Sequence, residues 1–337
     1  MLMLVDQRNR TLRDLRISVT DQCNLRCRYC MPKEIFDNNF SFLDKEELLS
    51  FEEIVSVAKA CHKVSGLKKL RITGGEPLLR KGLPALIEQL YNETQIEDIA
   101  MTTNGILLPK HAAALKEAGL KRVAVSLDSL SDDRFQAITG RTMKVEHVLN
   151  GIEAAQAAGL AVKVNMVVKK GMNEEDILPM AEFFRGKDVT LRYIEYMDVG
   201  NSNGWKWDHV ISKKEIISMI GAEYPLVEVP PSHHGETASR YAYEDGSGEI
   251  GVISSVSDAF CNSCNRARLT ADGQLLTCLF STKGTDLKKV VRDEPQNLAG
   301  VVSKLWTLRD DNYSEERVAA DAANKNKQKL EMHRVGG

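Results

Sequence analysis

The sequence predicts an α/β fold: a partial (β/α)6 barrel over residues 1–200, a smaller cysteine-bearing region over 201–320, and a tail over 321–337. Three observations carry this. Short β-branched runs alternate with amphipathic stretches from about residue 15 to 195, as successive βα units do around a parallel sheet. The rhythm stops past residue 200, where NSNGW, VEVPPSHHGET and EDGSGEIG are rich in turn formers. Residues able to bind or react gather at the strand ends, where barrel folds place their sites.

The strands are expected, in order, at LRISVT (15–20), KLRIT (69–73), IEDIAMTT (96–103), RVAVSLD (122–128), AVKVNMVV (161–168) and VTLRYIEY (189–196). Between them lie helical stretches such as FEEIVSVAKACHKV, LPALIEQLYNE, KHAAALKEAG, VLNGIEAAQAAG and ILPMAEFFRG, several closed by a glycine suited to a C-cap. Six such units fall short of a closed eight-fold barrel. In the second region RARLTADGQLLTC reads as a hairpin turning at Asp272-Gly273, followed by helical stretches from about Asp286 to Leu308. The charged tail, by composition alone, reads as a mobile terminus.

A chain of 337 residues can bury a large core without staples. Its net charge of −2 argues against general binding to nucleic acid or membrane surfaces, so any anionic ligand must be met by local basic groups. No segment approaches the ~20 apolar residues of a membrane span, and MLMLVDQRNRTLRDLR holds no apolar run of signal-peptide length. A cytoplasmic protein is expected. There, seven cysteines, odd in number and clustered, favour metal ligation over disulfides.

Cys23, Cys27 and Cys30 form the first triplet, in CNLRCRYCMP. The spacing would also suit a helix stripe, but a helix would separate the outer two by about 10 Å of rise, too far to converge on one centre. A wrapping loop is expected instead. Thiolates select zinc or iron-sulfur clusters. Structural zinc sites usually pair two half-sites, and a 4Fe-4S cluster takes four cysteines. A three-cysteine loop therefore points to a cluster with one open iron, with zinc or a purely structural role as the alternatives. The later strand ends carry ITGGEP (72–77), TTNG (102–105), SLD (126–128), Lys163 with Asn165, and Glu195 to Met197. In GGEP the glycines allow close approach of a ligand to the backbone, and Glu76 can accept from an ammonium group.

Cys261, Cys264 and Cys278 form a second triplet that also lacks a fourth ligand. A second open cluster is favoured, with zinc again the alternative; Cys61, in an apolar helical run, reads as a core residue. Arg266 and Arg268 share one face of an extended segment, either as a surface pair or as a clamp for an anionic or purine-like ligand. Lys69, Arg71, Lys163 and Arg192 lie in barrel strands, where a buried cation needs a partner. A polyphosphate would serve, as would ion pairing with Glu195 or Asp128. No Walker-type loop is present.

CxxxCxYC with GGEP resembles the radical S-adenosylmethionine superfamily, whose fold is a partial TIM-type barrel. There the methionine end of S-adenosylmethionine chelates the open iron, and a 5'-deoxyadenosyl radical abstracts hydrogen from substrate. The resemblance implies cofactor contacts at Tyr29, Gly75, Ser126 and Met197, although Met197 otherwise reads as core packing. The two triplets, RDLRISVT, FCNSCNRARL and the terminal Gly-Gly together resemble the GTP 3',8-cyclase family of molybdenum cofactor biosynthesis, over nearly the whole chain. That resemblance implies two 4Fe-4S clusters, with GTP held between them by Arg16, Arg71, Thr102, Lys163, Arg266, Ala267 and Arg268, and less firmly by Lys69 and Arg192. It implies that Arg266, Arg268, Gly336 and Gly337 take part in catalysis, the glycines by entering the active site. A reductant such as flavodoxin, a homodimer, and transfer of product to cyclic pyranopterin monophosphate synthase are further implications. Two rivals remain: a peptide-modifying radical maturase with an auxiliary cluster, and a non-catalytic zinc or iron-sulfur electron carrier.

Overall fold

The computed structural model describes residues 4–37, 39–317 and 329–336. Six parallel strands, β1 (Asp14–Ser18), β2 (Lys69–Thr73), β3 (Asp98–Thr103), β4 (Arg122–Ser126), β5 (Ala161–Val168) and β6 (Thr190–Glu195), lie side by side in chain order. The strands at 69–73 and 161–168 fall where the sequence predicts them, residue for residue. Of the others, β3, β4 and β6 are trimmed by one or two residues at their ends, and β1 starts one residue earlier and ends two earlier than expected.

The connecting helices start and stop on local chemistry. In α1 (Phe51–Ser65), Ser50 and Glu53 form a reciprocal capping box, and Gly66, at φ 64°, closes the C-terminus. Helices α2 (Leu83–Thr94), α3 (Leu108–Glu117), α5 (Glu146–Ala157) and α6 (Ile177–Phe184) match the expected stretches. Between the expected stretches lie α4 (Asp132–Thr139) and α7 (Lys213–Glu223), neither of them expected. Each is capped by a serine, Ser131 and Ser212, but α4 buries only Phe135, Ile138 and Thr139, too short a stripe to show a period.

The second region does not sit apart from the first. Its strands β7 (Leu226–Val229), β8 (Ser239–Tyr243) and β9 (Glu249–Ile253) form an antiparallel meander whose last member pairs parallel to β6. Its hairpin, β10 (Arg266–Leu269) and β11 (Gln274–Leu276), turns at Gly273 as expected, but β10 pairs parallel to β1 at the opposite end of the sheet. With β12 (Thr285–Asp286) the result is one twelve-stranded sheet, order β12-β11-β10-β1-β2-β3-β4-β5-β6-β9-β8-β7. Helices α8 (Leu287–Asp293) and α9 (Leu298–Thr307) pack on α1.

The main core lies between this sheet and the helices. Leu15, Ile17, Leu70, Ile72, Val123 and Val164 are essentially inaccessible there, and Cys61 is wholly buried among them, as expected. Strand β5 alternates buried Val162, Val164, Met166 and Val168 with half-buried Lys163 and Asn165. A parallel strand covered on both faces would read as continuously apolar. The inner face of this sheet is therefore polar because it encloses a cavity. Among the described residues, no helix is long and apolar enough to cross a membrane.

Candidate active site

The turns after β1, β2, β3 and β4 are tied to one another. Glu76 is buried, and its carboxylate accepts from the Thr103 hydroxyl (2.7 Å) and the backbone amides of Asn104 (2.8 Å) and Leu78 (3.1 Å). Burial pushes it up to about 7. Asn104 Nδ2 donates to Asn24 Oδ1 at 2.8 Å, reaching the first cysteine loop. The Glu76 carboxylate thus serves as a strut between these turns. The diglycine is likewise a packing device. A Cβ on Gly74 would stand 2.5 Å from the Thr20 carbonyl oxygen, and one on Gly75 2.2 Å from that of Gln22. What approaches these glycines closely is the chain's own backbone, whose carbonyls accept from Gly75 and Glu76.

The first triplet lies on a loop, as expected, in which the amides of Cys30 and Met31 both donate to the Cys27 carbonyl. Tyr29 donates its hydroxyl to Asp128 at 2.7 Å, fixing the loop to the end of β4. Burial raises the thiols of Cys23, to about 11, and of Cys27 and Cys30; neighbouring thiols of the triplet raise Cys27 and Cys30 further. Three thiolates so placed need a cationic centre to share. Among the described residues, no group of His, Cys, Asp or Glu is arranged to hold a lone metal ion. A cuboid cluster gives each thiolate its own iron and asks for no convergence on one atom.

The cavity, of about 470 Å³, is lined by residues from β10 through β1 to β9, so the sheet curls around it. Register places Arg268 beside Arg16 and Arg16 beside Arg71, three cations in a row on neighbouring strands. Like charges directly opposed destabilise a sheet. Arg71 is compensated by Asp98 at 3.0 Å and Asp14 at 3.7 Å. The others are not: among the described residues no carboxylate forms an ion pair with Arg16, Lys163, Arg192 or Arg268. Burial pulls Arg16 down to about 10, Arg192 to about 9 and Lys163 to about 8; nearby arginines lower Arg192 and Lys163 further. Arg268 falls well below its ordinary value for the same reason. The buried Nε of Arg16 has no hydrogen-bond partner among the described residues.

Neither carboxylate considered as a partner for these cations serves them. Asp128 takes Tyr29 and the Val167 amide; Glu195, wholly buried, takes the amides of Lys213, Val256 and Ser257 and the Ser257 hydroxyl.

Cys261, Cys264 and Cys278 border the same cavity, and all seven cysteines are free thiols. Burial pushes Cys264 up, but Arg266 and Arg309 outweigh it and bring the thiol down to about 6. Cys278 goes the other way, to about 12, chiefly through burial.

The described part of the tail is docked. His333 sits edge-on among Phe36, Phe40 and Phe42, Arg334 pairs with Asp272 at 2.6 Å, and Arg268 donates to the carbonyls of Val335 (3.1 Å) and Gly336 (2.5 Å). Gly336 lines the cavity. The reading of a mobile terminus therefore fails for residues 329–336, because composition does not show these long-range bonds. Gly337 lies outside the described residues.

A family model described as the Radical SAM superfamily matches residues 17–184, and one described as Molybdenum Cofactor Synthesis C matches residues 189–315. A protein of Staphylococcus saprophyticus named GTP 3',8-cyclase is 48% identical over 337 residues, covering 99% of both chains. A protein of Staphylococcus haemolyticus with the same name is 48% identical over 335 residues, covering 98% of each. The chain belongs to the GTP 3',8-cyclase family. Among solved structures, Streptococcus suis SuiB bound to S-adenosylmethionine matches with a TM-score of 0.59 at 15% identity, over 90% of this chain and 69% of that one, a likeness of fold.

Of the residues that the GTP 3',8-cyclase resemblance singled out, the structure brings Arg16, Arg71, Thr102, Lys163, Arg266 and Arg268 to the cavity. Lys69, Arg192 and Met197 also line it. Met197 packs in addition on the small apolar cluster of Val199, Leu276, Phe280 and Val335, so the core reading holds in part. Ala267 is not on the cavity; the alternation that turns its two arginine neighbours inward turns its methyl into the main core. Any contact it makes is through its backbone. Tyr29, Gly75, Ser126 and the first triplet stand outside the cavity lining, with Ser126 in register with Asn165, which lines it. Sequence reasoning missed Arg122 and His233, both on the cavity, and Arg309 behind the second triplet. Arg122 shows in the strand alternation; the other two lie in irregular segments that carry no such signal.

Proposed function

We propose that this chain is a radical S-adenosylmethionine enzyme that cyclises GTP to (8S)-3',8-cyclo-7,8-dihydroguanosine 5'-triphosphate, the first step of molybdenum cofactor biosynthesis. One observation carries the reading: a cavity bordered by three free thiols holds Arg16, Lys163 and Arg192, half-buried, and Arg268, buried, all without carboxylate ion-pair partners among the described residues. A triphosphate supplies the charge that this cluster lacks, and its guanine is left to face the second triplet.

The residues fit two clusters. Cys23, Cys27 and Cys30 would hold the first, with S-adenosylmethionine on its open iron near Tyr29, Gly75, Ser126 and Met197; Cys261, Cys264 and Cys278 would hold the second. Bound there, the first cluster and S-adenosylmethionine would supply a radical able to take the 3' hydrogen of the GTP ribose, released as 5'-deoxyadenosine, and joining C3' to C8 of guanine would then take up one electron from the reductant and one proton to give the 7,8-dihydro product. The chain's own part is placement. Arg16, Arg71, Lys163 and Arg192 fix the phosphates, Thr102, Arg266, Arg268 and the backbone of Ala267 hold the nucleoside, and the enclosing sheet keeps water from the reactive carbon. Arg268 also holds the tail, so Gly336 and substrate are set by one guanidinium. Seven free cysteines suit the reducing cytoplasm. An external reductant such as flavodoxin, a homodimer and delivery of product to cyclic pyranopterin monophosphate synthase complete the proposal.

The test is anaerobic. Reconstituted, reduced protein is incubated with S-adenosylmethionine and GTP, and 5'-deoxyadenosine is measured against GTP loss. Stoichiometric formation of both supports the reading. Deoxyadenosine without GTP loss would point to a peptide maturase, and none at all to an electron carrier. Iron at about eight per chain, two cubanes of four, is the accompanying expectation.

A further inference from the structure

Behind the second triplet lies a buried row of charges drawn from three distant segments. Arg309, just past the end of α9, is 4% exposed. Its Nη2 donates to the Cys264 sulfur at 3.3 Å and its Nη1 to the Cys264 carbonyl at 2.8 Å. The guanidinium stacks over Trp306, 4.5 Å from the ring centre, and meets Asp6 at 3.3 Å and Asp311 at 3.2 Å. Asp6, itself buried, also accepts from Arg10 at 2.6 Å, and Arg10 donates to the Cys261 carbonyl at 2.8 Å.

The two arginines differ in one respect. Arg10 fastens the loop by its backbone alone, whereas Arg309 reaches a sulfur. Fastening needs only a donor to a carbonyl. Burying a second guanidinium carries a desolvation cost, and its fork here is divided between a carbonyl and a sulfur. Hydrogen bonds to cluster sulfurs and nearby positive charge stabilise the more negative, reduced state, because reduction adds an electron to the site they face.

We propose that Arg309 is a positioning residue that raises the reduction potential of the cluster at the second triplet through its N–H···S bond to Cys264. This rests on the reading that Cys261, Cys264 and Cys278 hold a cluster. Arg309 touches neither the cavity nor substrate, so its effect is carried through Cys264.

The experiment uses the full-length reconstituted chain with Cys23, Cys27 and Cys30 changed to alanine, so that the second cluster is observed alone. Iron is counted first; a chain without iron would refute the second-cluster reading itself. With about four irons per chain, redox titration followed by electron paramagnetic resonance is run on that background and on Arg309→Lys, Arg309→Met and Arg10→Lys. The midpoint is expected to fall in both Arg309 variants, further in Arg309→Met, and to stay put in Arg10→Lys. An unmoved midpoint in Arg309→Lys at full iron content overturns the proposal, as does an equal fall in Arg10→Lys. If the Arg309 variants do not fold, the same background labelled with 15N-arginine decides: a reduced cluster with no hyperfine coupling to guanidinium nitrogen overturns it.

Discussion

Lys163 shows how a single residue is set by its surroundings. Its ammonium is brought down to about 8 by burial and by Arg192 and Arg122, so near neutral pH it stands close to losing its proton. An anion binds the protonated form. Below about 8 that form is already present; above it, binding must draw a proton from solution, and affinity is lost as pH rises. Equilibrium dialysis of GTP between pH 7 and 9 should show affinity falling above pH 8, by at most about tenfold per unit, with Lys163→Arg flattening the profile. Gly336 is set by space. Its φ of 76° belongs to glycine, and a Cβ there would meet a Thr73 methyl carbon at 2.3 Å. Gly336→Ala is expected to displace the tail, lowering turnover by tenfold or more, on the order of 1.4 kcal/mol, while iron content holds. Removing Gly336 and Gly337 together should do the same; unchanged turnover in either would separate the tail from catalysis.

At the scale of elements, β1 and β6 are interior strands only because the second region supplies β10 and β9 to their flanks. A chain cut after residue 200 would leave both as open edges. Such a fragment is expected to aggregate, seen as loss of the monomeric or dimeric peak in size-exclusion chromatography that the full chain retains. This is also where the sequence is least informative. Local signals, alternation and caps, give β2, β5 and α1 almost to the residue. Nothing local says that RARL pairs with DLRI, since that register is decided by non-local packing. The site was legible in the same uneven way: the cysteine triplets and the strand-end arginines stand out by spacing, whereas Glu76 reads as an acceptor for a ligand and Glu195 as a partner for the cations, and their work as struts shows only in their hydrogen bonds. GGEP reads as a ligand-facing turn; what the spacing does not show is that backbone fills the space a Cβ would take at each of its glycines.

For the whole molecule, closure of the tail depends on one buried carboxylate. Asp198 accepts from Arg317 at 3.0 Å and from Lys329 at 2.8 Å, so the two ends of the segment between them meet at one residue. Arg317 is 1% exposed and stacked near Phe280 and Tyr313. Asp198→Ala would leave that guanidinium buried without its anion, a loss of about 3–5 kcal/mol. The expected readouts are a lower melting temperature and faster tryptic cleavage at Lys329 and Arg334; a variant as resistant as the parent would show that contacts further along the tail, among them His333, Arg334 and Arg268, hold it without Asp198.

The row of Arg10, Asp6 and Arg309 has a consequence for how the protein comes to be made. Arg10 reaches Cys261 across 251 residues, and β10 joins β1 over a similar span. Contacts this distant in sequence form late, after most of the loop-closure entropy has been lost. The seat for the second triplet is therefore assembled only when the two ends of the chain have found each other. A cell that loads iron too early would be offering it to loose thiols, so maturation of this centre is expected to trail folding of the barrel rather than guide it.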